Sequence, residues 1–276
     1  MKHISELPAD REDHILPDGD APNPSDSNLH TVLSAQGNFS TIDEARAGFA
    51  TLEAALRAAN DRRAIFVGAY LTITSALQEA IDEGEFLDAV WARSYLLHFA
   101  QLYMEAFRAF EQGDLDHVPT AWRVAFELSA KGEGLALQHL LLGVNAHINN
   151  DLAIALMRCG IDPNRPMRYE DHNSVNEVLK RTVNALQDHV ERYYSPALYY
   201  FDEIFGHWDE QFSCLMVERA RETAWVHCLD LVGCSCEQDQ AAVIRRIDDH
   251  AGALARLIAA PHASPLSLYM AVRTCF

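Results

Sequence analysis

The stretch from Leu135 to Arg158, LALQHLLLGVNAHINNDLAIALMR, decides the fold. At about 100° per residue, Leu140, Val144, His147, Asp151 and Ile154 share one narrow stripe. Leu141, Ile148, Leu152 and Ala155 cover the adjoining face, and Gln138, Asn145 and Asn149 align on nearly the opposite side. A helix that is apolar almost all round belongs in the middle of a bundle rather than on its surface. The pattern therefore predicts a buried central helix over 135–158, with His147 and Asp151 both shielded from water. Their i,i+4 separation lets one ring nitrogen meet the carboxylate.

Outward from that helix, helical periods separated by short breakers fall near 42–60, 62–82, 86–111, 118–130, 171–194, 197–232 and 238–259, with a break near Gly206 and a last short helix or tail over 264–276. Thr41 followed by Glu44 reads as a capping box that opens the first of them. Glu83-Gly84, Gly113-Asp114, Gly132 with Gly134, and Gly160-Ile161-Asp162-Pro163 punctuate the rest. No alternating strand pattern of useful length occurs. The expectation is an all-α, single-domain bundle of about eight helices over 41–276, built around 135–158. Residues 1–40, rich in Asp, Pro, Ser and Gly (LPDGDAPNPSDSN), lack periodicity and read as a flexible acidic arm.

Composition supports one large core, with 49% hydrophobic and 22% charged residues in a chain of 276. A net charge of −18 argues against nucleic acid and against an anionic membrane surface, since both require clustered Lys and Arg. The opening MKHISELPADRED places acids where a secretory leader would be apolar. The longest apolar run is broken by Gln138, His139 and Asn145, so no membrane insertion is expected. Six scattered cysteines, among them a lone Cys234-x-Cys236, do not form a disulfide framework, and a cytoplasmic protein is the simplest expectation. A homo-oligomer remains compatible with all of this.

A buried carboxylate needs a counter-charge or several donors. For Asp151 the candidates are His147, a distant arginine, or a bound ion. Arg221 stands on an apolar stripe with Val217, Trp225, Cys228 and Val232, which makes a buried Arg221–Asp151 pair the main structural alternative to a site. Asp171 reads as the N-cap of the helix that follows Pro166. Asn176, one turn further on, is a poor helix former that would hydrogen-bond a ligand or complete the Asp151 network. Tyr193, Tyr194, Tyr199, Tyr200, Phe201, Phe205 and Trp208 would wall a hydrophobic pocket or serve as helix packing.

Three blocks, GVNAHINNDLAIAL, DHNSVNEVL and ERARETAW, resemble an all-helical bacterial family, domain of unknown function 5995; the likeness extends more loosely over about 60–276. The resemblance marks Asn145, His147, Asp151, Asp171, Asn176, Arg221 and Trp225, and implies pocket or core positions for Tyr70, Phe99 and Tyr103. Asn145, Asn176, Asp171, Tyr70, Tyr103 and Trp225 are taken from it as substrate contacts. His139, His172, His207 and His227, and the acidic arm, depart from the family pattern. The family brings no reaction with it.

Two chemistries compete. His-x3-Asp is a metal-ligand spacing and is similar to part of the motif of zinc-dependent phospholipase C and P1-type nucleases. A divalent metal (Zn, Fe or Mn) on His147 and Asp151 would need further ligands from Asp171, His172, His189 or the Glu203–His207 pair. Without metal, His147 acts as a general base, Asp151 fixes its tautomer, and Asn145 and Asn176 donate to a carbonyl or oxyanion. No GxSxG elbow, GxGxxG or GxxxxGK loop is present. The favoured expectation is an acid/base enzyme of hydrolase, lyase, isomerase or cyclase type, as in secondary metabolism. Its substrate would be a small apolar molecule, with His147, Asp151 and Arg221 as catalytic residues. A non-catalytic helical binding protein with a structural polar core is the alternative from a different class.

Overall fold

The computed structural model describes residues 39–194 and 209–261. These residues form helices and no strands: α1 (Ile42–Ala58), α2 (Ala64–Asp82), α3 (Ala89–Glu111), α4 (Thr120–Ala130), α5 (Ala136–Cys159), α6 (Arg165–Tyr194), α7 (Asp209–Gly233) and α8 (Glu237–Ala259). The chain is an all-α bundle, as its periodicity predicts.

Each start has a local cause. Thr41 Oγ1 accepts from the Glu44 amide at 3.1 Å and so caps α1. Glu44 reaches back to the Ser40 amide at 2.8 Å, one residue before the cap rather than to the cap itself. Phe39, expected in the arm, is buried on Phe49 and its carbonyl accepts from Gln101, so it packs with the domain. The remainder of the arm, the aromatic stretch from Ser195 to Trp208, and the tail over 264–276 lie outside the described residues.

Helix α6 begins at Arg165, six residues before the expected start at 171, because Pro166 fits the first turn, where its missing amide hydrogen has no intrahelical role. Asp171 therefore sits inside α6 and is no cap of its own helix. Its fully buried carboxylate accepts from the Leu87 amide at 2.7 Å and the Asp88 amide at 2.8 Å, just before α3 begins. Asp88 in turn caps α3 through the Trp91 amide at 2.9 Å. Asp171→Ala is expected to cost about 2 kcal/mol, since two backbone amides at the start of α3 lose a buried acceptor; a urea melt showing a loss below about 0.5 kcal/mol would contradict this role.

Helix α5 is central, touching α2, α3, α4, α7 and α8. Close passage against α2 requires Gly143, where an added Cβ would lie 2.3 Å from Phe66 Cδ2. Contrary to the expectation from sequence, α2 and α5 are both long and apolar enough to cross a membrane. However, 61% and 67% of their apolar windows are buried inside the bundle, so the core accounts for that apolarity.

One feature of α5 departs from a regular helix. Residues Ala146–Asp151 form a π turn, in which the Leu152 amide reaches back five residues to the His147 carbonyl. Such turns insert an extra residue into a helix and recur at functional sites. Here the turn carries His147, Asn150 and Asp151.

Candidate active site

The centre of the site is the His147–Asp151 pair. His147 Nδ1 lies 3.0 Å from Asp151 Oδ2, with both side chains nearly inaccessible to solvent. The same oxygen accepts from Trp122 Nε1 at 2.8 Å, and Oδ1 accepts from Asn150 Nδ2 at 2.9 Å. Three converging donors satisfy a buried carboxylate without a cation. Because the carboxylate only accepts, the shared proton sits on Nδ1 and leaves Nε2 with a bare lone pair. That Nε2 is buried and has no hydrogen-bond partner among the described residues.

Aromatic rings fix the imidazole. Phe99 stacks on it with centroids 3.3 Å apart and planes inclined by 11°, while Tyr70 meets it edge-on at 5.0 Å and Phe66 at 5.6 Å. Burial holds the His147 pKa below its ordinary value, against the opposing pull of Asp151.

A cavity of about 260 Å³ lies against this pair, between α2, α3, α5, α6 and α7. Its walls are mainly apolar, with Leu137, Leu140, Leu141, Val144 and Ile148 contributed by α5. The predicted stripe of Leu140, Val144 and His147 is thus the face turned to the cavity. Three unpartnered buried polar atoms belong to lining residues: His147 Nε2, Tyr70 Oη and Thr74 Oγ1. The two hydroxyls, one turn apart on α2, feel each other electrostatically but make no well-aligned hydrogen bond. Burial drives the Tyr70 phenol well above its ordinary pKa, so it remains protonated.

A second polar group lies on the α6–α7 side. Arg221 is 4% exposed; its Nε donates to Asn176 Oδ1 at 2.7 Å and its Nη2 to the His172 carbonyl at 2.5 Å. Its expected partner Asp151 is instead satisfied by Trp122, His147 and Asn150, so the Arg221–Asp151 pair does not form. His172 Nε2 donates to the Arg221 carbonyl at 3.2 Å, leaving Nδ1 to accept from Tyr95 Oη at 3.2 Å. Burial, and then the Arg221 charge, push the His172 pKa well below its usual value. Burial raises the Tyr95 phenol to about 12.

Both histidines carry a stability prediction. Unfolding frees them to protonate near pH ~6.5. Below that pH the unfolded chain binds more protons than the native one until each native pKa is reached, so stability rises with pH across this window. Acidification from pH 7.5 to 5.5 should lower the unfolding free energy, each histidine contributing up to about 1.4 kcal/mol per pH unit below 6.5. Equal urea midpoints at the two pH values would contradict it.

His147, Tyr70, Asn176, Arg221 and Phe99 line the cavity, with Asp151 directly behind His147. Other sequence candidates do not reach it. Asn145 donates to the Ala251 carbonyl of α8 at 2.9 Å and accepts from Asn149, so it ties helices together. Tyr103 packs in the core against Phe66 at 5.4 Å and Trp122 at 5.0 Å. Trp225 lies against Tyr169 at 5.0 Å and His172 at 5.3 Å. Asp171 caps α3 rather than facing a ligand. Among residues not singled out by sequence, Trp122, Asn150, Thr74 and Tyr95 belong to the site. Asn150, adjacent to Asp151, carried the only sequence signal.

The metal expectation finds little support in the ligand geometry. His147 Nδ1 and Asp151 Oδ2 are bonded to each other, which leaves Nε2 alone to face a ligand. No group of three His, Cys, Asp or Glu comes together among the described residues. Asp171 and His172 are held in other networks, and the side chains of His189, Glu203 and His207 lie outside the described residues. Cys236 Sγ accepts from the Asp239 amide at the start of α8, and Cys234 Sγ donates to the Asp230 carbonyl.

Fold and site together define a helical bundle built around an apolar cavity with a His–Asp pair in its wall. The model of a family of unknown function (DUF5995) matches residues 42–261, and the chain belongs to that family. No curated protein and no solved structure matches the chain.

Proposed function

We propose that the protein is a small-molecule enzyme that performs acid/base chemistry on a largely apolar substrate. One observation carries the reading: His147 lines an apolar cavity and keeps a buried Nε2 without a hydrogen-bond partner among the described residues, while Asp151 holds the opposite ring nitrogen. An unsatisfied buried polar atom costs stability, and one on a residue that lines a cavity suits a ligand.

In this reading Nε2 takes a proton from the bound substrate, and Asp151 stabilises the imidazolium that forms. The lowered pKa keeps the ring neutral and ready to accept at neutral pH. The Tyr70 and Thr74 hydroxyls donate to negative charge developing on a substrate oxygen. Return of the proton to a different atom gives isomerisation, elimination or cyclisation; delivery of water gives hydrolysis. No hydroxyl or thiol hydrogen-bonds His147 Nε2 among the described residues, which favours direct proton transfer.

The test is to incubate purified protein with an apolar metabolite extract and compare products for wild type and His147→Gln. The expected result is conversion of a defined species by wild type, reduced by about 10²–10⁴-fold in the variant, with the melting temperature nearly retained. Binding of apolar compounds that wild type returns unchanged would favour a non-catalytic binding protein and overturn the proposal.

A further inference from the structure

We infer that the cavity takes a small apolar monocarboxylic acid, its carboxylate paired with Arg221 and its apolar body running past Phe99 to His147. This names the substrate class of the same site and rests on the acid/base reading only for the role of His147.

The argument starts from the charge of Arg221. A guanidinium cannot shed its proton, so a buried arginine needs an anion or a full set of neutral acceptors. Among the described residues Arg221 has only neutral partners: Asn176 Oδ1, the His172 carbonyl, and at 3.4 Å the His172 ring. The His172 ring is held neutral, since it is buried and its Nδ1 faces the Arg221 guanidinium. Asp151, the carboxylate that burial would have assigned to this arginine, is occupied by three other donors. The Tyr95 hydroxyl is a further neutral neighbour of the guanidinium, and the side chain lines the cavity. Among the described residues the cation is therefore fixed in position, without a bonded counter-ion, and beside an apolar space. A planar guanidinium recognises a carboxylate by paired hydrogen bonds.

Charge count and size narrow the ligand further. The other cation in the lining, Lys180, is neutralised by Glu218 at 2.6 Å and Glu177 at 2.9 Å. Arg221 is the lining cation that no carboxylate bonds among the described residues, which suits a ligand with one carboxylate. An apolar cavity of ~150 Å³ accommodates benzene, so about 260 Å³ holds roughly ten non-hydrogen atoms at similar packing. Phe99 links the two ends, its ring 6.3 Å from that of Tyr95 and 3.3 Å from that of His147. A carboxylate at Arg221 leaves the far part of such a ligand to run along Phe99 toward His147.

The test is calorimetric titration at pH 7.5 with octanoate and 4-phenylbutyrate, each against its own primary amide. At least one acid should bind wild type more than about tenfold tighter than its amide. Arg221→Met should bring that acid down to the amide's affinity and leave the amide unchanged, whereas His147→Gln should retain the acid preference. Should Arg221→Met fail to fold, the wild-type comparison decides alone. No preference for either acid, or a preference that survives in Arg221→Met, overturns the inference. An acid preference without turnover of any compound would remove the catalytic reading and leave the carboxylate site standing. His147-dependent turnover without acid preference would do the reverse.

Discussion

Asp151→Ala is expected to cost about 3–5 kcal/mol of folding stability, the range for removing one member of a buried, hydrogen-bonded charge network. The loss has three sources. Trp122 Nε1, His147 Nδ1 and Asn150 Nδ2 all donate to this one carboxylate, and all three residues are buried. Each orphaned buried donor costs about 1–3 kcal/mol. The effect should appear in urea denaturation as a shifted midpoint with an unchanged slope. Asp151→Asn separates the structural role from the chemical one. Its amide keeps the side-chain volume and, with its oxygen toward Trp122 and Nδ1, sets its NH2 against Asn150, whose own amide can turn to accept. The ring keeps its hydrogen on Nδ1 but loses the negative charge that stabilises the imidazolium. Stability should fall less than in Asp151→Ala, whereas proton abstraction should be lost. An Asp151→Ala protein within about 1 kcal/mol of wild type would show that the network has been misassigned.

Gly143→Ala should have the second largest effect, a loss of about 3 kcal/mol, at the upper end of what overpacking a well-filled core costs. The new Cβ would sit 2.3 Å from Phe66 Cδ2, 2.4 Å from Cγ and 2.8 Å from Cβ. The clash involves the root of the Phe66 side chain as well as its ring, so rotation about one bond cannot relieve it. Helices α2 and α5 must separate, or Phe66 must move toward the cavity it lines. Because Phe66 also meets His147 edge-on at 5.6 Å, ligand binding should weaken along with stability. Gly252→Ala, where the nearest atom is Thr120 Cγ2 at 2.5 Å, provides a control remote from the cavity. It should destabilise the α4–α8 contact without altering ligand affinity. Equal affinities in Gly143→Ala and wild type would disconnect Phe66 from the site.

The central helix and its His147–Asp151 pair were legible because burial on one element is written in a local period. An apolar stripe of 3.6-residue spacing interrupted by a histidine and an aspartate declares both the helix and the buried pair. The π turn that carries them was not legible, since AHINND contains no proline or glycine and an inserted residue leaves no mark on short-range periodicity. Long-range partners were illegible for a different reason. A buried aspartate must find donors, but nothing local says that Trp122 on α4 supplies one. The same gap explains Arg221. Sequence shows two opposite charges on apolar faces and suggests pairing them, whereas packing satisfies Asp151 elsewhere and leaves Arg221 among neutral groups. Asp171 was placed near a helix start because Pro166 was taken to lie before the helix. Starting α6 at Arg165 instead puts the carboxylate where it caps α3 across the fold.

The account rests on one nitrogen, and nitrogen-15 NMR of histidine-labelled protein observes it without a known substrate. At pH 7.5 the His147 signals, assigned by their loss in His147→Gln, should report a hydrogen on Nδ1 and a bare Nε2. That pattern should persist below pH 6.5, because burial lowers the pKa. A hydrogen on Nε2, or an imidazolium at neutral pH, would contradict His147 as the base.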